Sequence, residues 1–148
     1  MKKFQFTLQK LMDFREQELD RQKNTLSALR GELVKIEEAT AELRRKVYSE
    51  SADLERVCAS GAQAYEISMR KRYIVTLQQE IHLKEQQAVE KQAEIEKQLG
   101  VVVEATKDVK TLEKLEEKQL EEYKALETKE NEQFIEEFVS GAAIRNGT

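Results

Sequence analysis

The chain holds one histidine and one cysteine among 148 residues, so the side chains best suited to metal ligation and nucleophilic attack each stand alone. His82 follows Ile81 with Glu85 one turn on; a single imidazole can titrate near neutrality but cannot assemble a metal cluster. Cys58 has no internal partner for a disulfide, which fits a reducing compartment, and it reads as a small hydrophobe near a turn. From Glu113 to Glu137 ten Glu stand against four Lys. Such a run can be taken for a metal-binding tract, but Lys114 and Lys118 are interleaved at helical spacing, and a solvated helix face is the better reading. There is no GxxxxGK[ST], no GxGxxG and no HExxH. No cofactor, no metal and no catalytic residue is expected.

The residues with partner-binding content are of another kind. Arg70, Lys71 and Arg72 put three cations beside Tyr73, with Ile74 and Leu77 below, and Tyr and Arg are the types that anchor interfaces. Phe4, Phe6, Tyr123, Phe134 and Phe138 make up most of an aromatic complement of four Tyr and five Phe. They suit either packing among themselves or a partner surface.

Long helices must position these groups. Read in sevens, Met12, Leu19, Leu26, Leu33, Thr40, Val47 and Leu54 form one column, and Leu8, Arg15, Gln22, Leu29, Ile36, Leu43, Glu50 and Val57 another. Eleven of these fifteen positions are apolar, the narrow seam by which helices supercoil around a partner. A second seam runs through Ile67, Ile74, Ile81, Ala88, Ile95, Val102 and Val109, with Arg70, Leu77, Lys84, Lys91, Gln98, Ala105 and Leu112 opposite. Its second column is half polar, so the stretch from Lys84 to Gln98 is expected to be the softer part. Gly100 before three valines suggests a bend. After Leu112 the apolar residues leave the sevens, as a stutter would produce.

Composition agrees. Only 39% of residues are hydrophobic, 36% are charged, and there is no Pro or Trp. A net charge of −4 lacks the cationic surplus of a nucleic-acid binder. The start, MKKFQFTLQKLMDF, is interrupted by polar residues and reads as neither a signal peptide nor a membrane anchor.

The expected fold is all-α, a long two-helix antiparallel coiled-coil hairpin in one elongated domain. Helix 1 is expected over about 4–57 with Thr7 as N-cap and the first aromatics exposed. The turn follows over about 58–63 at Cys58-Ala-Ser-Gly-Ala62, then helix 2 over about 64–138 and a frayed tail over 139–148. Folding about Gly61 brings Leu43 to the neighbourhood of Gln79, Leu26 to that of Glu96 and Met12 to that of Lys110. Fifty residues of helix give a rod about 75 Å long with two dissimilar ends.

The start Phe4-x-Phe6-x-Leu8-x-x-Leu11-Met12-x-x-Arg15, with Lys110-x-Leu112-Glu113-Lys114-Leu115-x-x-Lys118 and Tyr123, resembles the FliJ family of bacterial flagellar export proteins. Length, hairpin order and a small-residue turn near 60 agree. The family's arginine-rich approach to the second motif is replaced here by Thr106-Lys107-Asp108-Val109-Lys110. The resemblance implies a non-enzymatic stalk, similar to the coiled coil of the rotary ATPase γ subunit, that enters the hexameric export ATPase FliI and reaches the export gate protein FlhA. It also implies an escort role toward export chaperones, and a cytoplasmic location, peripheral at the inner membrane. On this reading Arg15, Lys107, Lys110 and Lys114 contact the ATPase, positioned by Leu11 and Met12. Tyr73 and Leu77 meet the gate. Alternatives are the equivalent stalk of a virulence type III secretion system, a prefoldin-like holdase and a plain structural spacer.

Overall fold

A computed structural model describes residues 2–146, with the side chain of Asn146 left aside. It contains two helices, α1 over Gln9–Ala59 and α2 over Ala64–Asn146, folded back as an all-α antiparallel hairpin with no strand among the described residues. Every seam position named above, Leu8 just before α1, fourteen in α1 and fourteen in α2, is buried or half-buried, while the residues between them are mostly exposed. The reason is geometric: each helix has one narrow apolar stripe, and facing the stripes removes both from water. Two helices cannot enclose a side chain on all sides. Full burial is accordingly rare, and Leu77, at 3% exposure, is the most deeply covered of the core side chains.

Polar residues in the seam find partners. Thr40 is buried and donates its hydroxyl to the Ile36 carbonyl at 2.8 Å, closing its hydrogen bond within its own turn. Gln98 reaches across to Gln22. The Lys91 ammonium lies 2.7 Å from Glu32 across the helices. The stretch from Lys84 to Gln98, expected to be soft, carries three cross-helix polar contacts, with Arg44 on Glu85 as the third.

The turn is a helix-ending motif closed by glycine. Gly61 has φ 84°, its N–H donates to the Cys58 carbonyl, and the Ala62 N–H donates to the Val57 carbonyl at 3.2 Å. This pair of bonds defines a Schellman cap, in which the left-handed residue is nearly always Gly. The Ser60 hydroxyl adds a bond to the same Val57 carbonyl.

The helices depart from expectation in three places, and α2 runs on as helix through the glycine where a bend was expected. First, α1 starts at Gln9 rather than near residue 4. Thr7 is no N-cap, since its hydroxyl bonds Gln119 at 3.3 Å. Residues 2–6 stay outside the helix because Phe6 gains more by entering the core than by extending a helix with no apolar face there. Gly100 itself costs α2 about 1 kcal/mol, which flanking turns absorb. Second, the buried positions keep the spacing of 4 and 3 beyond Leu112, at Glu116, Gln119 and Tyr123. The phase holds although the residue types become polar. Third, α2 extends to Asn146, past 138, since Ala142, Ala143 and Arg145 favour helix; Gly147 and Thr148 of the expected tail lie outside the described residues.

The chain divides into two compact units, Met1–Arg21 with Val103–Thr148, and Gln22–Val102. In the first, Phe6, Met12 and Leu112 are buried together, with Phe4, Leu8 and Leu115 packed against them. In the second, Leu26, Leu77 and Ile95 are the buried apolar side chains.

Candidate functional site

A hairpin of this kind has no enclosed interior, so its chemistry is recognition at its surfaces. In the unit that contains the N-terminal segment, Lys107, Lys110 and Lys114 follow one another at steps of three and four, and all are exposed. These steps place them on one strip of α2 turned away from the seam at Ala105, Val109 and Leu112. Lys107 lies 3.3 Å from Glu104. Lys110 and Lys114 have no carboxylate partner among the described residues, which leaves a pair of free cations.

Arg15 behaves differently. Its backbone sits in the seam, its guanidinium lies 3.8 Å from Asp108, and it stands 6.0 Å from the centroid of the Phe14 ring. A long, partly exposed ion pair of this kind is weak, so Arg15 is held loosely enough to be taken by another anion. Met12 is in the core and Leu11 is on the surface. The two adjacent side chains therefore serve opposite ends: one anchors α1, the other is displayed beside exposed Phe14.

The aromatics divide. Tyr123 donates its hydroxyl to the Lys2 carbonyl and packs its ring 5.5 Å from that of Phe4 at 56°. Phe6 is buried. The first two phenylalanines, expected to be exposed, instead clamp the N-terminal segment onto α2, with one ring buried and the other packed on Tyr123. Phe134 and Phe138 remain in solvent.

In the unit that contains the turn, Tyr73 is 45% exposed and Leu77 is 3% exposed. Direct contact of Leu77 with a partner is thus corrected: it lies in the seam, one turn from Tyr73, and can only support it. Arg70 leans back on Glu66 at 3.5 Å. Lys71 and Arg72 are exposed and have no acidic partner among the described residues; they line an open groove with Ala64, Ile67, Val75 and Gln79. Sequence reasoning missed Tyr65 and Met69, which are exposed and step toward Tyr73 at intervals of four. That interval off the seam was the available signal. His82 pairs with the amide of Gln86 at 3.2 Å.

The resolved charge effects, at seam residue Lys91 and at Glu42 on a helix flank, lie outside these surfaces. The hydrogen bond to Glu32, followed by that to Glu94, holds the Lys91 ammonium above the usual lysine range. The hydrogen bond from Arg45, together with its charge, holds Glu42 below the usual carboxylate range. Among the described residues no three His, Cys, Asp or Glu side chains are grouped so as to hold a metal. Among the same residues no helix is long and apolar enough to cross a membrane.

No curated protein and no solved structure matches the chain. The family model described as Flagellar FliJ protein matches residues 4–148, a span that takes in both helices, the N-terminal clamp and the exposed lysine strip. The chain belongs to the flagellar FliJ protein family, and it is a flagellar export protein.

Proposed function

We propose that this chain is the non-enzymatic stalk of the flagellar type III export apparatus. In this reading it inserts in the ring of the export ATPase FliI, promotes ring assembly and ATP turnover, and links the ring to the export gate FlhA. It escorts export chaperones as well, and it works in the cytoplasm, peripheral to the inner membrane. The observation that carries the reading is the family match over both helices combined with two exposed surfaces of unlike chemistry, one in each unit. The ATPase contacts are Lys107, Lys110, Lys114 and Arg15, with Met12 fixing α1 against Leu112 and Leu11 displayed on the surface. The gate contact is Tyr73, supported from beneath by Leu77. A single hairpin inside a six-fold ring meets each subunit differently, which is how an asymmetric shaft biases a symmetric machine.

The test mixes the purified chain with the export ATPase and follows hexamer formation and ATP turnover. Wild type is expected to raise both. Lys110→Glu with Lys114→Glu is expected to remove the effect without changing the thermal midpoint, because neither ammonium has a partner to lose. Tyr73→Ala is expected to retain ATPase stimulation while losing gate binding. A turnover rate unchanged at saturating wild-type chain would favour a structural spacer, and joint loss of both activities in Tyr73→Ala would refute the assignment of the two surfaces.

A further inference from the structure

Beyond Tyr123, α2 continues as helix, and every residue from 124 to 140 is exposed. This segment is nevertheless amphipathic. Phe134, Ile135, Phe138 and Val139 recur at the spacing that puts them on one helical face, at 69%, 59%, 70% and 59% exposure. Four large apolar side chains in solvent on one stripe is more than isolated surface hydrophobes explain.

The edges of that stripe are acidic. Glu130 and Glu137, seven apart, border one side, and Glu132 and Glu136, four apart, border the other. None of the four has an ion pair among the described residues. This selects the occupant. A second copy would bring its own glutamates against these flanks, and an anionic lipid surface would be repelled by both rows. A helix with an apolar stripe flanked by Lys or Arg satisfies face and edges together, as the flanking positions of a coiled coil do.

We propose that the α2 segment over residues 130–142 is a docking helix for a protein helix whose apolar stripe is flanked by basic residues. Because the segment is already helical, binding orders little backbone. These residues are separate from those assigned to the ATPase and the gate, so the inference stands or falls independently of that assignment.

The experiment uses the full chain and a labelled synthetic helix of about four heptads, with Leu and Ile in its seam and Lys on its flanks. Its twin carries Glu on the flanks. Fluorescence anisotropy is expected to show saturable binding of the Lys-flanked helix and none of the twin. Phe134→Ser with Phe138→Ser is expected to weaken binding at least about tenfold, with helicity by circular dichroism unchanged. Replacing the four flanking glutamates by Gln is expected to weaken it and to flatten its dependence on salt. The proposal is overturned if the Lys-flanked helix fails to bind, if the twin binds equally, or if binding survives the serine substitutions. It is also overturned if sedimentation shows the chain self-associating through this face.

Discussion

The side-chain amide of Gln98 donates to the side-chain oxygen of Gln22 at 2.7 Å and to its main-chain carbonyl at 3.1 Å. Both are among the polar residues that interrupt the apolar seam, and each occupies the place where the other can answer it. Sliding the helices by one heptad in one direction would set Gln22 near Ala105 and Gln98 near Leu29, leaving both amides against aliphatic side chains, so the pair penalises that register. Gln98→Leu is expected to cost about 1 kcal/mol in urea unfolding, since Gln22 is left facing an alkyl group. The double replacement of both by Leu is expected to recover that loss, yet to broaden the sedimentation profile by admitting other alignments or association.

Glu32 and Lys91 provide a second cross-helix tie, with a pH signature. The Lys91 pKa is raised in the folded chain, first by the hydrogen bond to Glu32 and then by that to Glu94. A raised folded-state value means the contribution is complete below the unfolded lysine value, about 10.4, and disappears as pH climbs through the folded one. Thermal melts across the alkaline range should show wild type losing stability more steeply than Glu32→Gln. Glu42 works in the opposite direction: its lowered value contributes above the unfolded carboxylate range and is lost as pH falls through the folded one.

Two glycines are expected to respond oppositely to alanine. Gly61 has φ 84°, where a Cβ costs about 1–2 kcal/mol, so Gly61→Ala should lower the thermal midpoint. Gly31 is inside α1 with nothing within 4 Å of a built Cβ. Gly31→Ala should raise stability by about 1 kcal/mol.

The N-terminal clamp should be locally cooperative. Phe6→Ala removes a buried ring from a small cluster with Met12 and Leu112, and is expected to cost about 3 kcal/mol. Tyr123→Phe keeps the ring contact with Phe4 and removes only the bond to the Lys2 carbonyl, a loss of about 1 kcal/mol. Hydrogen exchange should show faster exchange from α1 residues near Met12 in the first variant, with the amides near Leu77 unaffected.

The heptad columns were readable because a helix repeats its faces at a fixed period, and burial of one face needs only that period to be kept. Every seam residue from Leu8 to Leu112 was therefore found without coordinates. Residue types misled after Leu112, where the columns continue through Glu116 and Gln119, side chains that a reading by polarity assigns to solvent. Their place is set by continuity of the helix, which does not depend on what the side chains prefer.

The candidate surfaces were less legible. Tyr73 and Leu77 are four apart and look equivalent on a string of letters, yet one faces water and the other faces α1, a distinction that depends on where the partner helix lies. Likewise Phe6 and Phe134 are both aromatics beside polar neighbours. Phe6 is buried because the N-terminal segment folds onto Leu112, and Phe134 is exposed because no residue of the described chain reaches it.

Period and composition by themselves determined that the chain forms two long helices, that they face one another along defined stripes, and that the reversal falls within the small-residue stretch over about 58–63. Those are properties of single helices and of a residue without a side chain, and they are local. Tertiary structure decided which polar residues answer each other across the seam, that residues 2–6 stay outside the helix with Phe6 in the core, and which aromatics are left for a partner. Those outcomes depend on pairs distant in the chain, and no local propensity encodes a distance between them.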